Sequence, residues 1–278
     1  MRNIEELYLE ETYFEVFEKV ISFKKDIKPT KKLKWNKNRT ILNALKEEIK
    51  ECYKKYNLQN SELFPMIHKW FVWDNKNALL HCYKNDSVYS KIIKENIKKL
   101  GNKKCPYCNI EGASQVEHYL PEEDFPEFAF LVQNLIPSCW TCNSKKWDRW
   151  KDDDTRLFLN AFFDLIPKEQ FLFIELGIEK STIYSKFKID VSNININKTV
   201  YIILEKHVKK LSLLERYSLS INEVISELKS ANPKNVEDLK MIIQYSIRIW
   251  NWYWNNYWKN ILYKEISENE KILNFIIK

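Results

Sequence analysis

Two cysteine pairs constrain the fold of this 278-residue chain more than any other feature of its sequence. The first pair is Cys105-Pro-Tyr-Cys108, and the second, Cys139-Trp-Thr-Cys142, comes after 30 intervening residues. Zn²⁺ binds four thiolates in a tetrahedron, and one CxxC turn supplies two of them. We therefore predict that these four cysteines hold one structural zinc ion and form the frame of a small module.

Polar residues inside that frame are of the types that hold a second metal and activate water. Glu117, His118 and Asn134 lie between the pairs, and Asn143 comes directly after the second pair. Carboxylate and amide oxygens suit Mg²⁺ or Mn²⁺. A neutral imidazole titrates near the working pH, which suits a general base. Because His118 is the only histidine between residues 101 and 151, we predict that it removes a proton from water.

The order of these residues resembles the zinc-knuckle branch of the HNH (ββα-metal) endonucleases. The residues that carry the resemblance are Cys105, Cys108, Glu117, His118, Pro121, Asn134, Leu135, Pro137, Cys139, Cys142, Asn143, Ser144 and Lys145. The resemblance implies a metal-dependent endonuclease that hydrolyses phosphodiester bonds of nucleic acid, DNA in preference to RNA. The alternative is a non-catalytic zinc-knuckle module that binds nucleic acid or protein. The four cysteines alone would favour that alternative, whereas the polar residues in order favour the enzyme.

The resemblance also implies a role for each polar residue of the module. Glu117 and Asn143 would ligate the catalytic Mg²⁺ or Mn²⁺, and Asn134 would hydrogen-bond the loop that orients His118. Successive side chains of a strand point to opposite faces, so Glu117 and His118 would diverge unless the strand bends. The resemblance implies that the strand does bend. Most members of the family carry Asp where this chain has Glu117.

A second resemblance concerns the residues directly after the module. Residues 158–164 (Phe-Leu-Asn-Ala-Phe-Phe-Asp) and 171–173 (Phe-Leu-Phe) are similar to the segment at this position in the HNH subunits of Septu-type antiphage systems, some of which are attached to retrons. This resemblance implies an effector in antiphage defence. It also implies an ATPase partner subunit that docks on the flanks of the module.

Composition predicts a mainly α-helical fold around the small ββα-metal module. The chain has three glycines and is rich in Lys, Glu, Leu and Ile, which favour helices. We predict a helical region at 1–100, the zinc-bound module at 101–151, and a C-terminal region at 152–278 with a short hairpin and then helices. Apolar periodicity predicts helices over 3–23, 40–56, 64–73, 88–100, 141–150, 200–217, 221–230 and 236–267, strands over 115–120 and 133–137, and a hairpin of 171–176 with 183–189 around Gly177.

Charged residues suggest where a polyanion would bind. Residues 24–39 carry eight positive charges and one negative charge. Their lysines, Lys31, Lys32 and Lys34 among them, either contact phosphates or belong to a solvated linker, and the sequence favours neither. Lys145 and Lys146 lie early in the predicted module helix, where they are predicted to meet a phosphate. Residues 122–124 (Glu-Glu-Asp) oppose such binding unless a cation or a partner screens them, which suits a nuclease that waits for a partner; the sequence favours the alternative, a solvated loop without a role.

Cysteine usage and hydropathy indicate the compartment. Four cysteines sit at metal-ligand spacing, and the other two stand alone in apolar surroundings, as expected in a reducing cytoplasm. No apolar run approaches the roughly 18–20 residues of a membrane-spanning helix, and residues 1–7 have no apolar signal core. We therefore expect a soluble cytoplasmic protein that does not contact a membrane.

Overall fold

In the part of the chain that the structure describes, helices dominate, as the composition predicts, and two small antiparallel sheets complete the fold. The structure is a computed structural model, and it describes residues 13–26, 37–58, 73–84, 88–100, 104–152, 155–249 and 255–278. Within these ranges no helix is both long enough and apolar enough to cross a membrane.

The N-terminal region is a layer of helices that packs against the module. Its helices are α1 (Tyr13–Ser22), α2 (Asn38–Ala44), α3 (Lys46–Leu58), α4 (Trp73–Lys84) and α5 (Val88–Leu100). The single helix predicted over 40–56 is divided at Leu45, while 88–100 is helical as predicted. Most of the helix predicted over 64–73, and residues 3–12 of the first helix, lie outside the described residues.

Two short strands and one helix form the module, in the predicted order. Strand β1 (Gln115–His118) pairs antiparallel with β2 (Leu135–Ser138), and α6 (Trp140–Lys146) comes next. Cys139 caps α6, because its sulfur accepts a hydrogen bond from the Cys142 backbone N–H at 3.3 Å. The predicted helix continued to 150, but α6 ends at Lys146 because Trp147 adopts a positive φ of 53°.

A hairpin comes after the module, as predicted, but its turn is not at Gly177. Strands β3 (Leu172–Glu179) and β4 (Thr182–Ile189) are joined by Lys180 and Ser181, whose φ values of 46° and 62° are those of a type I′ turn. Gly177 lies within β3 opposite Tyr184. A Cβ at Gly177 would lie 2.3 Å from the Tyr184 ring, so the glycine makes room for that ring.

After the hairpin, the described residues of the C-terminal region form α7 (Lys198–Lys210), α8 (Leu213–Ser230), α9 (Val236–Ile249), α10 (Trp258–Glu268) and α11 (Glu270–Ile276). The predicted break between 217 and 221 is wrong, because the chain turns at Ser212 with φ 50° and α8 then runs without interruption. The single helix predicted over 236–267 is also wrong. The buried Asn256 lies between α9 and α10, and its Oδ1 accepts hydrogen bonds from the backbone N–H groups of Phe171 and Leu172.

Three side chains of the C-terminal helices bind consecutive carbonyls at the first cysteine pair. His207 Nε2 lies 3.0 Å from the Tyr107 oxygen, and Tyr217 donates its hydroxyl to the Cys108 oxygen at 3.2 Å. Trp258 Nε1 donates to the Asn109 oxygen at 3.2 Å. The module therefore shares one core with the C-terminal helices.

Candidate metal centre and catalytic cleft

The four cysteines of the two pairs converge in one buried cluster. Their sulfur atoms all lie within 4.8 Å of one another, and the Cys108 and Cys139 sulfurs are 3.8 Å apart. Zn–S bonds of about 2.3 Å in a tetrahedron place sulfurs about 3.8 Å apart, so the cluster has the size that Zn²⁺ requires. The cysteine set could hold zinc, as the spacing predicts.

An arginine from outside the module contacts this cluster and pairs with a glutamate of the module. Arg216, from α8, donates to the Cys142 sulfur at 3.3 Å and to Glu111 Oε1 at 2.7 Å. Thr141 donates its hydroxyl to the other Glu111 oxygen at 2.9 Å. Four thiolates around Zn²⁺ carry a net charge of −2, and the guanidinium offsets part of it. Sequence spacing does not identify Arg216, because it lies 74 residues beyond the nearest cysteine.

His118 lies at the end of β1 and is held by a backbone carbonyl. Its Nε2 is 2.8 Å from the Ala129 oxygen, and its ring packs edge-on against Tyr83 with centroids 4.3 Å apart. A carbonyl oxygen only accepts, so Nε2 carries the proton and Nδ1 has the free lone pair. Burial lowers the pKa of His118, which keeps the imidazole neutral.

Asn134 is fully buried and ties together the loop that supplies this carbonyl. Its Oδ1 accepts from the Leu120 N–H at 2.8 Å, and its Nδ2 donates to the Leu120 oxygen at 3.1 Å and the Phe128 oxygen at 3.2 Å. Tyr56 from α3 lies 3.3 Å from the same Oδ1. Since Phe128 precedes Ala129, these bonds fix the carbonyl that holds His118.

Glu117 points into the protein interior, where a lysine pairs with it. Its Oε1 is 2.5 Å from Lys146 Nζ, and its Oε2 accepts a hydrogen bond from the Tyr107 hydroxyl at 2.8 Å. The side chain is 2% exposed. Burial raises the pKa of Glu117, while Lys146 and Tyr107 act in the opposite direction.

Lys146 is buried as well, so the predicted contact between Lys146 and a phosphate is wrong. Its Nζ donates to the His118 backbone oxygen at 2.9 Å in addition to pairing with Glu117. The ammonium also lies 5.9 Å from the Tyr119 ring centre and 5.8 Å from that of Phe158. Helical periodicity predicts no buried lysine here, because burial is favourable only with the carboxylate partner that the fold supplies.

The other predicted phosphate contacts fall in two groups. Lys145 is partly exposed, and its Nζ donates to the Ser212 hydroxyl at 3.2 Å. Lys31, Lys32 and Lys34 lie outside the described residues. Their predicted contacts with phosphate therefore stay predictions.

Asn143 opens onto the same cleft as Glu117 and His118. The cleft has a volume of about 510 Å³. Asn143 Nδ2 donates to Gln115 Oε1 at 2.6 Å, and that bond leaves the amide oxygen, the atom a cation needs, uninvolved. The oxygen donors of Asn143 and Glu117 fit Mg²⁺ or Mn²⁺ in type, although the Glu117 carboxylate is engaged by Lys146.

Two lysines of α4 pair with the acidic rim of the cleft. Lys84 lies 3.2 Å from Glu122 Oε1 and 3.3 Å from Glu123 Oε1, and Lys76 lies 3.0 Å from Glu123 Oε2. Exposed ion pairs contribute little stability, but these pairs offset the negative charge of residues 122–123. The N-terminal region therefore supplies a screen that the module sequence lacks.

Comparison with known proteins agrees with this geometry. Residues 105–149 match the family model described as HNH endonuclease. This segment is an HNH domain. The chain is also 28% identical over 151 residues to the Septu protein PtuB of Bacillus thuringiensis, covering 49% of this chain and 58% of that protein. It is 24% identical over 179 residues to protein ea31 of Escherichia phage lambda, covering 62% of this chain and 54% of that protein.

The match to these curated relatives is partial. The chain spans little more than half the length of each of them. No solved structure matches the chain significantly. The comparisons therefore support the HNH domain and a distant similarity to PtuB.

Proposed function

We propose that this protein is a metal-dependent endonuclease that hydrolyses nucleic acid, DNA in preference to RNA. The observation that carries the proposal is the state of His118. A neutral imidazole donates Nε2–H to the Ala129 oxygen, which leaves Nδ1 as a base in a cleft that Glu117 and Asn143 also line. A structural zinc module has no need of that arrangement.

In the proposed mechanism, His118 removes a proton from the attacking water. The Ala129 oxygen at 2.8 Å and the Glu122 carboxylate at 3.7 Å both favour the imidazolium that results. Asn134 acts through the loop, since it fixes the carbonyl that orients the ring. Glu117 and Asn143 would hold Mg²⁺ or Mn²⁺, which supplies stabilisation of charge on the phosphate.

The test of this function is cleavage by the His118→Ala variant. General-base assistance contributes about 10²–10⁴-fold, so His118→Ala should lose that factor in rate with Mg²⁺ or Mn²⁺ present. Zinc content and fold should stay those of the parent, because the four cysteines lie elsewhere. His81→Ala, which removes a histidine of α4 that does not line the cleft, is the matched control. Equal rates for His118→Ala and the control would refute the assignment.

One observation favours the second candidate, a zinc module without catalysis. Lys146 engages the Glu117 carboxylate and would repel a nearby cation. Manganese binding separates the two functions. The nuclease predicts that the parent binds Mn²⁺ and that Asn143→Ala binds it more weakly. The non-catalytic module predicts no Mn²⁺ binding beyond the zinc site.

We further propose that the nuclease is an effector of antiphage defence that acts with an ATPase partner subunit. The similarity to the Septu protein PtuB supports this proposal. Glu122 and Glu123 lie at the cleft and pair with lysines of α4, so a partner that displaces α4 would change the charge at the cleft. Co-purification of the full chain with the products of neighbouring genes tests it, and capture of no ATPase would count against it.

A further inference from the structure

Two tryptophans at the cleft are exposed to solvent. Trp140 is 64% exposed and Trp147 is 71% exposed, whereas Trp150 and Trp258 are 7% and 2% exposed. Both exposed rings line the cleft that contains His118. Water contact over so large an apolar surface is unfavourable, so the rings fit an interaction surface better than a packing role.

The two tryptophans lie at the two ends of α6. Trp140, Asn143 and Ser144 are related as i, i+3 and i+4 on one face of the helix, and all three line the cleft. Trp147 comes directly after the last residue of α6 and lines the same cleft. The cleft therefore contains a proposed cation ligand on a helix with an exposed aromatic ring at each end.

The backbone of Trp147 is unusual for a bulky residue. Its φ of 53° and ψ of −136° lie where side chains other than glycine are disfavoured, and glycine is the common residue at such a helix end. The Trp147 N–H donates to the Asn143 oxygen at 2.8 Å, which ends α6 at this point. Trp147 therefore has a strained backbone conformation at the position where its ring lines the cleft.

The charges of the cleft point to the part of a nucleic acid that these rings contact. Its described lining residues include Glu122, Glu123, Asp124 and Asp148 and no lysine or arginine, and the two lysines that offset Glu122 and Glu123 lie at its rim. Stacking on an aromatic ring uses the face of a base and needs no positive charge. A surface of this kind suits bases better than a phosphate backbone.

We propose that Trp140 and Trp147 form a stacking platform for unpaired bases of the strand whose phosphate meets Asn143. The inference rests on the proposed nuclease function and refines its substrate to nucleic acid with exposed bases. A paired duplex keeps its base faces covered, so it cannot occupy the platform without local unstacking.

The test uses two labelled probes and measures binding by fluorescence anisotropy. One is a twelve-nucleotide thymidine strand, and the other is an abasic strand of the same length. The background is His118→Ala in the full chain, so that the probes stay intact. Base–aromatic stacking of about 1–3 kcal/mol corresponds to a roughly 5- to 150-fold change in affinity. Trp140→Ala and Trp147→Ala should each weaken binding of the thymidine strand by that factor.

Three controls separate stacking from other effects. Binding of the abasic strand should change less than about twofold, because it has no bases to stack. Trp140→Phe and Trp147→Phe should retain most of the affinity, since they keep a ring. Tyr245→Ala, which removes an aromatic side chain 68% exposed outside the cleft, should bind as the parent does.

Other outcomes overturn the inference. Equal losses on both strands would mean that the rings contact the backbone. Unchanged affinity together with lost association of a co-purifying protein would assign the rings to a protein partner. A parent chain that binds neither strand would also contradict the platform. The cleavage assay of the parent and His118→Ala tests the nuclease separately, so the two failures are distinguishable.

Discussion

Replacing Lys146 with Met should lower the free energy of unfolding far more than replacing Lys145, the other lysine of α6. The change removes the ammonium 2.5 Å from Glu117 and 2.9 Å from the His118 oxygen, while it keeps an apolar stem of similar length. The carboxylate remains 2% exposed, and its remaining hydrogen bond comes from Tyr107. Removing one partner of such a pair leaves an uncompensated charge in the interior.

The size of this effect depends on the burial of both groups. At 2.5 Å and an effective dielectric constant of about 20, the pair attracts by about 7 kcal/mol, much of which offsets desolvation of the two charges. Removal of one member of a buried pair typically costs about 3–5 kcal/mol. We expect a loss in that range for Lys146→Met. Lys146→Met with Glu117→Gln should recover most of it, because the second change removes the stranded charge.

Urea unfolding of zinc-saturated protein measures these values, with Lys145→Met as the matched control. Lys145 is the neighbouring residue, is partly exposed and makes one hydrogen bond to Ser212, so we expect a loss below about 1 kcal/mol. Equal stability of the Lys146→Met and Lys145→Met variants would refute the buried ion pair. A double variant less stable than Lys146→Met would also refute it, since the pair would then not be the cause.

Three further predictions concern zinc, pH and the basic stretch. Chelation of zinc, or Cys142→Ser, should unfold residues 104–152, because zinc binding contributes about 10–16 kcal/mol, as much as the stability of a whole domain. Circular dichroism measures the loss of structure, and metal analysis measures the loss of zinc. Burial raises the pKa of Glu127 to about 7, whereas the carboxyl ionises near its ordinary pKa of about 4.5 in the unfolded chain. The free energy of unfolding should therefore fall as pH rises from about 4.5 to 7. Urea unfolding should show a loss of about 1 kcal/mol between pH 6 and 8 that Glu127→Gln removes. Replacing Lys28, Lys31, Lys32 and Lys34 with Gln should reduce the slope of log affinity against log salt by about one for each lost phosphate contact, and an unchanged slope would assign these residues to a linker.

The cysteine cluster and the strand–strand–helix order were predictable because their determinants are local. A CxxC turn needs four residues, and Cys139 is both a thiol of the cluster and the cap of α6. Alternating and helical periodicities located β1, β2 and the hairpin strands to within a few residues.

The features that were not predictable depend on contacts between distant residues. The break between α9 and α10 contains Asn256, whose side chain binds the backbone of residues 167–172. Lys146 resembles a surface lysine in sequence, and only the folded position of Glu117 makes its burial favourable. Arg216 reaches the cysteine cluster from a separate helix. Periodicity carries no information about such pairs.

The flanking helices do more than enclose the module, because both flanks contact residues of the candidate site. Tyr56 and Tyr83, from the N-terminal region, contact Asn134 and His118 respectively. On the other side, Arg216 binds the cysteine cluster, and Trp258 binds a carbonyl next to the first cysteine pair. A shift of either flank would therefore move His118 or the cysteine cluster relative to the cleft. A partner that docks on these helices would have a direct physical route to the proposed catalytic residues.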